Sequence, residues 1–293
     1  MEVEEIDRVT GRKTTGHIWN GIRELDTPIP RGILLFLIVT HLFAALWWLL
    51  EPAFPLGSTF TKGLIGSDQK QVVEQKIVAS ANARASWIDR IETLPYAEIR
   101  ADEALMAKVK SSGHQLFGDN CAACHGRDGR GGLNYPDLTD DDWLWGGSPE
   151  KIEETMTIGV NSRHTSSRVS QMPSFGADEM LDRKQVADVS AYVYSLSHPE
   201  YSTAQNVGQI DAGREVFLTT CAACHGQNAK GNQDVGAPNL TDDRWIYGGT
   251  MERIIQTIHG GRQGHMPTWD ERLTHAKIKI LALYVNSLGT EKP

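Results

Sequence analysis

The 293-residue sequence is short of cysteine, of long apolar runs and of positive charge. Its four cysteines, Cys121, Cys124, Cys221 and Cys224, all fall in two copies of one string, CAACHG, at 121–126 and 221–226. None is left for a structural disulfide or a separate reactive thiol. Only one stretch is apolar enough to cross a bilayer, and the mean hydropathy is −0.35, which excludes a polytopic membrane protein. Acids outnumber bases by 37 to 29, a formal charge of −8, so the electrostatic footprint of a nucleic-acid binder is missing. The same acidity suits a basic soluble partner. Charged residues make up 23% and hydrophobic ones 40%, the composition of a folded chain and not of a disordered one. At about 150 residues per domain, the length accommodates about two domains.

The single apolar run is residues 32–50, which carry no charged side chain. As a helix it spans about 28 Å, close to the hydrocarbon thickness of a bilayer. Arg31 and Glu51 bracket it, and Trp47 and Trp48 stand where an interfacial aromatic belt belongs. A cleaved signal peptide fits poorly, since a mostly polar segment precedes the run and Glu51-Pro52 offers no small-residue cleavage site. Arg8, Arg12, Lys13, Arg23 and Arg31 precede the span, against Lys62 and Lys70 after it. The excess on the leading side predicts a cytoplasmic segment over 1–31, a membrane helix over 32–50 and everything later on the outer face. His41 lies inside the span as a lone imidazole; a b-type haem needs a second in-membrane histidine, so a bond to a neighbouring group is the expectation. Residues 51–107 read as an arm between anchor and globular part, helical and charged from about residue 67 on.

The remainder is an internal repeat. Gly113 and Phe117 before the first CAACHG match Gly213 and Phe217 before the second, one hundred positions apart. Pro136 to Trp143 (PDLTDDDW) matches Pro238 to Trp245 (PNLTDDRW), and Gly146-Gly147 matches Gly248-Gly249. Met172-Pro173 and Met266-Pro267 follow, then the endings Tyr192–Leu196 and Tyr284–Leu288. The loop from Gly159 to Met172 is eight residues longer than that from Gly261 to Met266. Two domains are expected, 108–199 and 207–291.

Cys-x-x-Cys-His is the attachment signature of c-type haem. Two thiols two residues apart on a tight turn can add to both vinyl groups of one porphyrin, and the adjacent histidine then emerges beneath the iron. Cys121 and Cys124 thus anchor one haem with His125 as its metal ligand; Cys221, Cys224 and His225 repeat the arrangement. A thioredoxin-like pair or half a zinc site ignores the histidine, the repetition and the downstream Met-Pro. Met172 and Met266 are the expected sixth ligands, each stiffened by the proline after it. Met106, Met156, Met180 and Met251 lack that context, and His164 and His265, the bis-histidine alternative, lack repeat counterparts. His/Met ligation raises the reduction potential and suits electron transfer. Ligation within each repeat is the simplest assumption, with a crossed arrangement open if the domains interleave.

Packing is the expectation for Gly113 with Phe117 and Gly213 with Phe217, where an N-terminal helix is closely crossed by one bearing Tyr192 or Tyr284. Trp143 and Trp245 read as core, with a propionate bond as the other possibility. Arg163, Arg168 and Arg262 lie near the Met loops, with propionate pairing and plain surface exposure both open.

Beyond these motifs the chain resembles the CcoP/FixP subunit family of bacterial cbb3-type cytochrome c oxidases. The resemblance rests on TTGHIWNGIRELDTPIP (14–30), the single anchor, the arm with Pro52–Pro55 and Thr61–Gly66, both repeats, and RVSQMPSFG (168–176). It implies an all-α fold, one N-terminal membrane helix followed by two tandem class I cytochrome c domains, in the bacterial inner membrane with the haem domains periplasmic. It also implies two covalent haem c groups and a respiratory role: electrons pass from a soluble cytochrome c through this subunit to the monohaem subunit and the haem–copper subunit, alongside a small accessory subunit. The chain lacks a multi-histidine copper site and the membrane helices to house one, so an oxygen-reducing site is not expected in it, and no residue is assigned a catalytic role. The rival readings are a membrane dihaem cytochrome serving another complex, a dihaem peroxidase, which needs an open iron position, and a haem-based gas sensor, which needs an output domain.

Overall fold

The structure is a computed structural model, and residues 5–66 and 68–289 are described. They divide between Ala83 and Arg84 into two compact units.

The first unit opens with a two-stranded antiparallel hairpin, β1 (Thr14–Trp19) and β2 (Ile22–Leu25), inside the mostly polar segment that precedes the apolar run. Its cause is local. Asn20 and Gly21 both adopt positive φ (49° and 82°), the geometry of a tight two-residue hairpin turn. Helix α1 (Arg31–Leu50) follows, starting at Pro30, which has no N–H to leave unsatisfied. None of its side chains is buried by protein, so its apolar surface requires an apolar surrounding. Within it, the ring Nδ1 of His41 bonds to Leu37 O at 2.7 Å, a bond inside the helix itself. The chain then turns back to cap the helix: Leu64 and Ile65 donate to the carbonyls of Leu49 and Leu50 at 2.9 and 3.0 Å. That satisfies acceptors which helix geometry leaves open. Gly63, at φ 67°, makes this approach possible, because a Cβ there would strike the backbone of Leu50.

The second unit is built of helices. Helix α2 (Gln69–Thr93) leads into it, followed by α3 (Tyr96–Ala101), α4 (Glu103–Asn120) and the one-turn α5 (Ala122–His125). Then come α6 (Pro149–Ile158), α7 (Arg183–Ser197), α8 (Val207–Val216), a wider π-type turn over Phe217–Cys221, α9 (Ala222–His225), α10 (Met251–Gly260) and α11 (His275–Leu288). The starts follow capping chemistry. Ser148 and Thr250 accept from Lys151 and Arg253 N–H at equivalent places in the two repeats, and Asp182 with Gln185 forms a reciprocal capping box.

Packing departs from the simplest sequence reading. Neither repeat closes on its own last helix. Helix α11, from the second repeat, packs on α4 and α6 of the first; α7, from the first, packs on α8 and α10 of the second. The first core therefore joins Leu105, Val109, Phe117, Ile152 and Met156 with Ile280, Leu281 and Tyr284. The second joins Val186, Val189 and Val193 with Phe217, Ile254 and Ile258. We call these the first module (α4, α5, α6, α11) and the second module (α7, α8, α9, α10). The ranges 108–199 and 207–291 delimit sequence repeats, and each core draws on both. The glycine crossings show it directly: a Cβ on Gly113 would meet Tyr284, and one on Gly213 would meet Asp188 and Tyr192.

Candidate functional site

Each module presents the same turn. Helix α4 ends at Cys121, whose carbonyl accepts from Cys124 and His125 N–H at 3.1 and 3.0 Å, so the Cys-x-x-Cys-His segment winds into a single helical turn. Gly126, at φ 75°, lets the chain reverse, and Gly131 N–H returns to His125 O at 2.8 Å. The imidazole is thereby brought to Pro136: His125 Nδ1–H donates to its carbonyl at 3.2 Å. In the second module Gly231 N–H bonds to His225 O at 2.9 Å, and His225 Nδ1–H donates to Pro238 O at 3.1 Å. A carbonyl only accepts, so each ring carries its proton on Nδ1 and leaves the Nε2 lone pair free for a metal. Burial lowers the pKa of both histidines, with the Pro carbonyl bond pulling the other way. The neutral form is the one a metal takes.

No disulfide joins the four cysteines; Cys121 and Cys221 are half-buried, Cys124 and Cys224 exposed. Burial, with the neighbouring cysteine adding to it, pushes Cys121 and Cys221 up to about 11. A redox dithiol depends on a lowered thiol pKa, so the pairs are poorly set for exchange chemistry.

The methionine loops cross. Met266 exchanges both backbone hydrogen bonds with Val160, each 2.9 Å, and packs with Trp269 on the core that holds Phe117 and Cys121. Met172 exchanges bonds of 2.8 and 3.0 Å with Arg262 and packs with Phe175 on the core that holds Phe217 and Cys221. Two helix-ending glycines admit these strands. Gly159 and Gly261 have φ of 70° and 67°, and a Cβ on either would lie 2.5 Å from the carbonyl oxygen of Met266 or Met172 respectively. The site residues thus assort as Cys121, Cys124, His125 and Met266 in one module, and Cys221, Cys224, His225 and Met172 in the other.

The remaining readings resolve as follows. Met156 is core, Met180 is exposed, and neither Met106 nor Met251 lies on a Met-Pro loop. The ring of His164 is engaged by Ser166 N–H at 3.0 Å and Asp270 at 3.5 Å, and His265 is exposed. Arg163 is exposed. Arg168 lies over the Trp145 ring at 4.8 Å and donates to Thr155 Oγ1 and Glu154. Arg262 lies over Tyr247 at 4.5 Å and donates twice to Thr257 Oγ1.

Where the two Pro-to-Trp loops face each other, Asn134 N–H donates to Ile246 O at 2.8 Å and Gln233 Nε2 to Trp143 O at 3.0 Å. They border a cleft of about 400 Å³ lined by Asp140, Asp142, Asp242, Arg130, Lys230 and Arg244 among others. Trp245 Nε1 is buried without an acceptor among the described residues. An orphaned buried donor needs an explanation, and a haem propionate is an acceptor of the right kind. Asp242 Oδ2 is also buried without a partner among the described residues, and burial raises that carboxyl's pKa, favouring the protonated form, which needs an acceptor. The paired thiols and oriented imidazoles fit haem c in both modules, and in the second the Trp245 donor adds to the fit.

Fold and site together define a protein with two cytochrome c modules behind an apolar N-terminal helix. Comparisons with known proteins agree. Residues 11–58 match the family model described as the N-terminal domain of cytochrome oxidase-cbb3, FixP; 111–197 match cytochrome c; 208–285 match cytochrome c oxidase, cbb3-type, subunit III. The chain is 43% identical over 288 residues to the cbb3-type cytochrome c oxidase subunit FixP of Bradyrhizobium sp. (strain ORS 278), with 98% of each chain covered. It is 42% identical to subunit CcoP of Cereibacter sphaeroides, with 94% of each covered, and 38% identical to subunit CcoP of Azospirillum brasilense over the full length of both. The chain belongs to the FixP/CcoP family of cbb3-type cytochrome c oxidase subunits.

Proposed function

We propose that this chain is the membrane-anchored dihaem electron-transfer subunit of a cbb3-type oxidase, taking electrons from a soluble cytochrome c and passing them toward the monohaem and haem–copper subunits. Helix α1 anchors it in the inner membrane with the N-terminus cytoplasmic and both modules periplasmic, as the Lys and Arg before the span favour. Cys121 and Cys124 hold one haem c, with His125 and Met266 on its iron; Cys221 and Cys224 hold the other, with His225 and Met172.

Bound haem supplies a one-electron couple, and two strong axial ligands favour electron transfer over small-molecule binding. The chain's own residues do the rest. The Pro136 and Pro238 carbonyls fix the imidazole tautomers. The β-type pairs Val160–Met266 and Arg262–Met172 hold each sulfur-bearing loop against the module opposite its own repeat. Phe117 and Phe217 keep water from the cores. Reduction of oxygen then belongs to other subunits of the assembly, and the acidic surface of this one suits a basic donor.

The observation that carries this reading is a doubled Cys-x-x-Cys-His turn, each faced by a Met-Pro loop delivered from the other repeat. The test is made on the purified membrane complex. Two haem groups per chain should survive denaturation, and reduced cytochrome c should be oxidised with oxygen uptake. Replacing Cys121 and Cys124 with Ala leaves one haem; Met172→Leu should then abolish its sulfur-to-iron charge-transfer band while Met266→Leu preserves it. The reverse result restores ligation within each repeat.

A further inference from the structure

We propose that Asn161 is a positioning residue for both axial methionines at once, one amide that sets the seats of Met172 and Met266 together. The proposal rests on the reading that these two methionines are the sixth ligands.

Asn161 follows Val160, the residue whose backbone pairs with Met266. Its side-chain Nδ2 donates to Ser170 O at 2.7 Å and to Gly264 O at 2.6 Å. Its Oδ1 accepts from Ser170 N–H at 3.1 Å. Ser170 stands two residues before Met172 and Gly264 two before Met266. An amide nitrogen carries two protons, and here one goes to each methionine loop, at the same register in both. Backbone N–H of Asn161 adds a 2.7 Å bond to Arg168 O, tying in the base of the longer loop. The residue is held at φ 48°, a left-handed conformation that asparagine tolerates better than most side chains.

The arrangement is single, although the repeats are double. The residue at the same place after Gly261 is Gln263, which is exposed. Neither clamped carbonyl can be deleted by substitution, since both belong to the main chain. Asn161 is therefore a side chain whose amide hydrogen-bonds to the main chain of both loops two residues before each methionine. Slack at that point loosens both sulfurs together, although each serves a different module.

The test uses the full-length protein with both haems attached. Asn161→Asp keeps the shape, the backbone tolerance and the acceptor facing Ser170 N–H, but turns the donor into an oxygen aimed at two carbonyls. The readouts are the sulfur-to-iron charge-transfer band of the oxidised protein and the two upfield methionine methyl resonances of the reduced one. Both resonances should broaden or vanish, the band should fall, and both midpoint potentials should drop, with haem content and helicity retained. Asn161→Ser, neutral and too short to reach both carbonyls, should give the same paired loss, and provides the answer where the Asp variant does not accumulate. Intact methionine signals in either accumulating variant, or loss at one haem alone, overturn the proposal; so does lowered thermal stability with unchanged ligation. Met172→Leu and Met266→Leu are measured beside them. If each removes one methyl resonance, the ligation reading stands whatever Asn161 does; if they do not, that reading fails and the clamp with it.

Discussion

In the second module Arg262 pairs by its backbone with Met172, bonds to Thr257 and lies over Tyr247. In the first module the equivalent position after the helix-ending glycine is Val160, which pairs with Met266 but carries no guanidinium. Arg168, from the eight-residue insertion, fills the gap: it bonds to Thr155 and lies over Trp145, the counterparts of Thr257 and Tyr247. Two routes through the sequence thus end in one arrangement of guanidinium, hydroxyl and aromatic ring. The position is set by the site, and the register of the repeat is free to slide beneath it. The cores differ more deeply. Seventeen buried residues form the first, with contributions from α2 and α3 such as Ile91 and Ile99; eight form the second. A small apolar core leans harder on whatever else holds it, here the covalent attachments.

The sharpest way to break that contrast is to remove the same aromatic from each. Phe117 and Phe217 are 1% and 0% exposed, each tilted against the tyrosine of a crossing helix. Truncating a buried phenylalanine costs about 3–5 kcal/mol. Phe117→Ala should lower the melting temperature while both haems stay attached, since the larger core persists around it. Phe217→Ala removes the one fully buried aromatic of the smaller core among the described residues, and the first residue of the π-type turn that delivers Cys221. It should yield protein that loses most attachment at Cys221 and Cys224. Haem counted per chain after proteolytic separation of the two attachment peptides decides it; equal losses would dissolve the distinction.

A smaller effect comes from the two glycine crossings. A methyl on Gly113 meets the Cβ and ring of Tyr284, a side chain on α11. On Gly213 it meets the carbonyl oxygen of Asp188, main chain of α7, which moves only if the helix moves. Overpacking costs about 1–3 kcal/mol, offset in part by the helix preference of alanine over glycine. Gly213→Ala should sit at the upper end and Gly113→Ala at the lower, read by denaturant titration of the haem-loaded chain. The opposite ranking would mean that the Tyr284 ring is the more rigid of the two obstacles.

What was legible in the sequence is what local chemistry dictates. Cys121 to His125 and Cys221 to His225 point to their proposed chemistry because a porphyrin's vinyl spacing fits within one turn. Met172 and Met266 stood out because each precedes proline in a matching place. The crossing was not legible, because α7 continues through Pro199–Tyr201 into α8, and which partner a helix chooses after such a link is settled by packing over long separations. Asn161 escaped for the opposite reason: reading by repetition passes over a residue that occurs once and serves both copies. The hairpin at Thr14–Leu25 carries its signal in Asn20-Gly21, which the sequence reading passed over.

The last contrast lies at the helix starts. Helix α4 begins at Asp102, whose carboxylate accepts from Leu105 N–H at 2.9 Å and from Arg90 at 2.7 Å. The backbone bond first, and Arg90 after it, hold the Asp102 carboxyl below the usual carboxylate range. Helix α8 begins at Asn206, which gives no side-chain cap; its amide instead bonds to Thr203 and Tyr201 in the link from the first repeat. A carboxyl whose pKa is lower folded than unfolded adds stability that is fully present above the unfolded value and is lost as pH falls through the folded one. Asp102→Ala should therefore lower the melting temperature at neutral pH, by an amount that shrinks toward zero as the solution is acidified past the folded pKa. The exposure of the pair keeps the effect small. Asn206→Ala carries no titrating group, so its penalty should stay level across the same acid range. A pH series of melting curves on the two variants separates a charged cap from a neutral tether, and parallel curves would show that the first module owes nothing to the charge at Asp102.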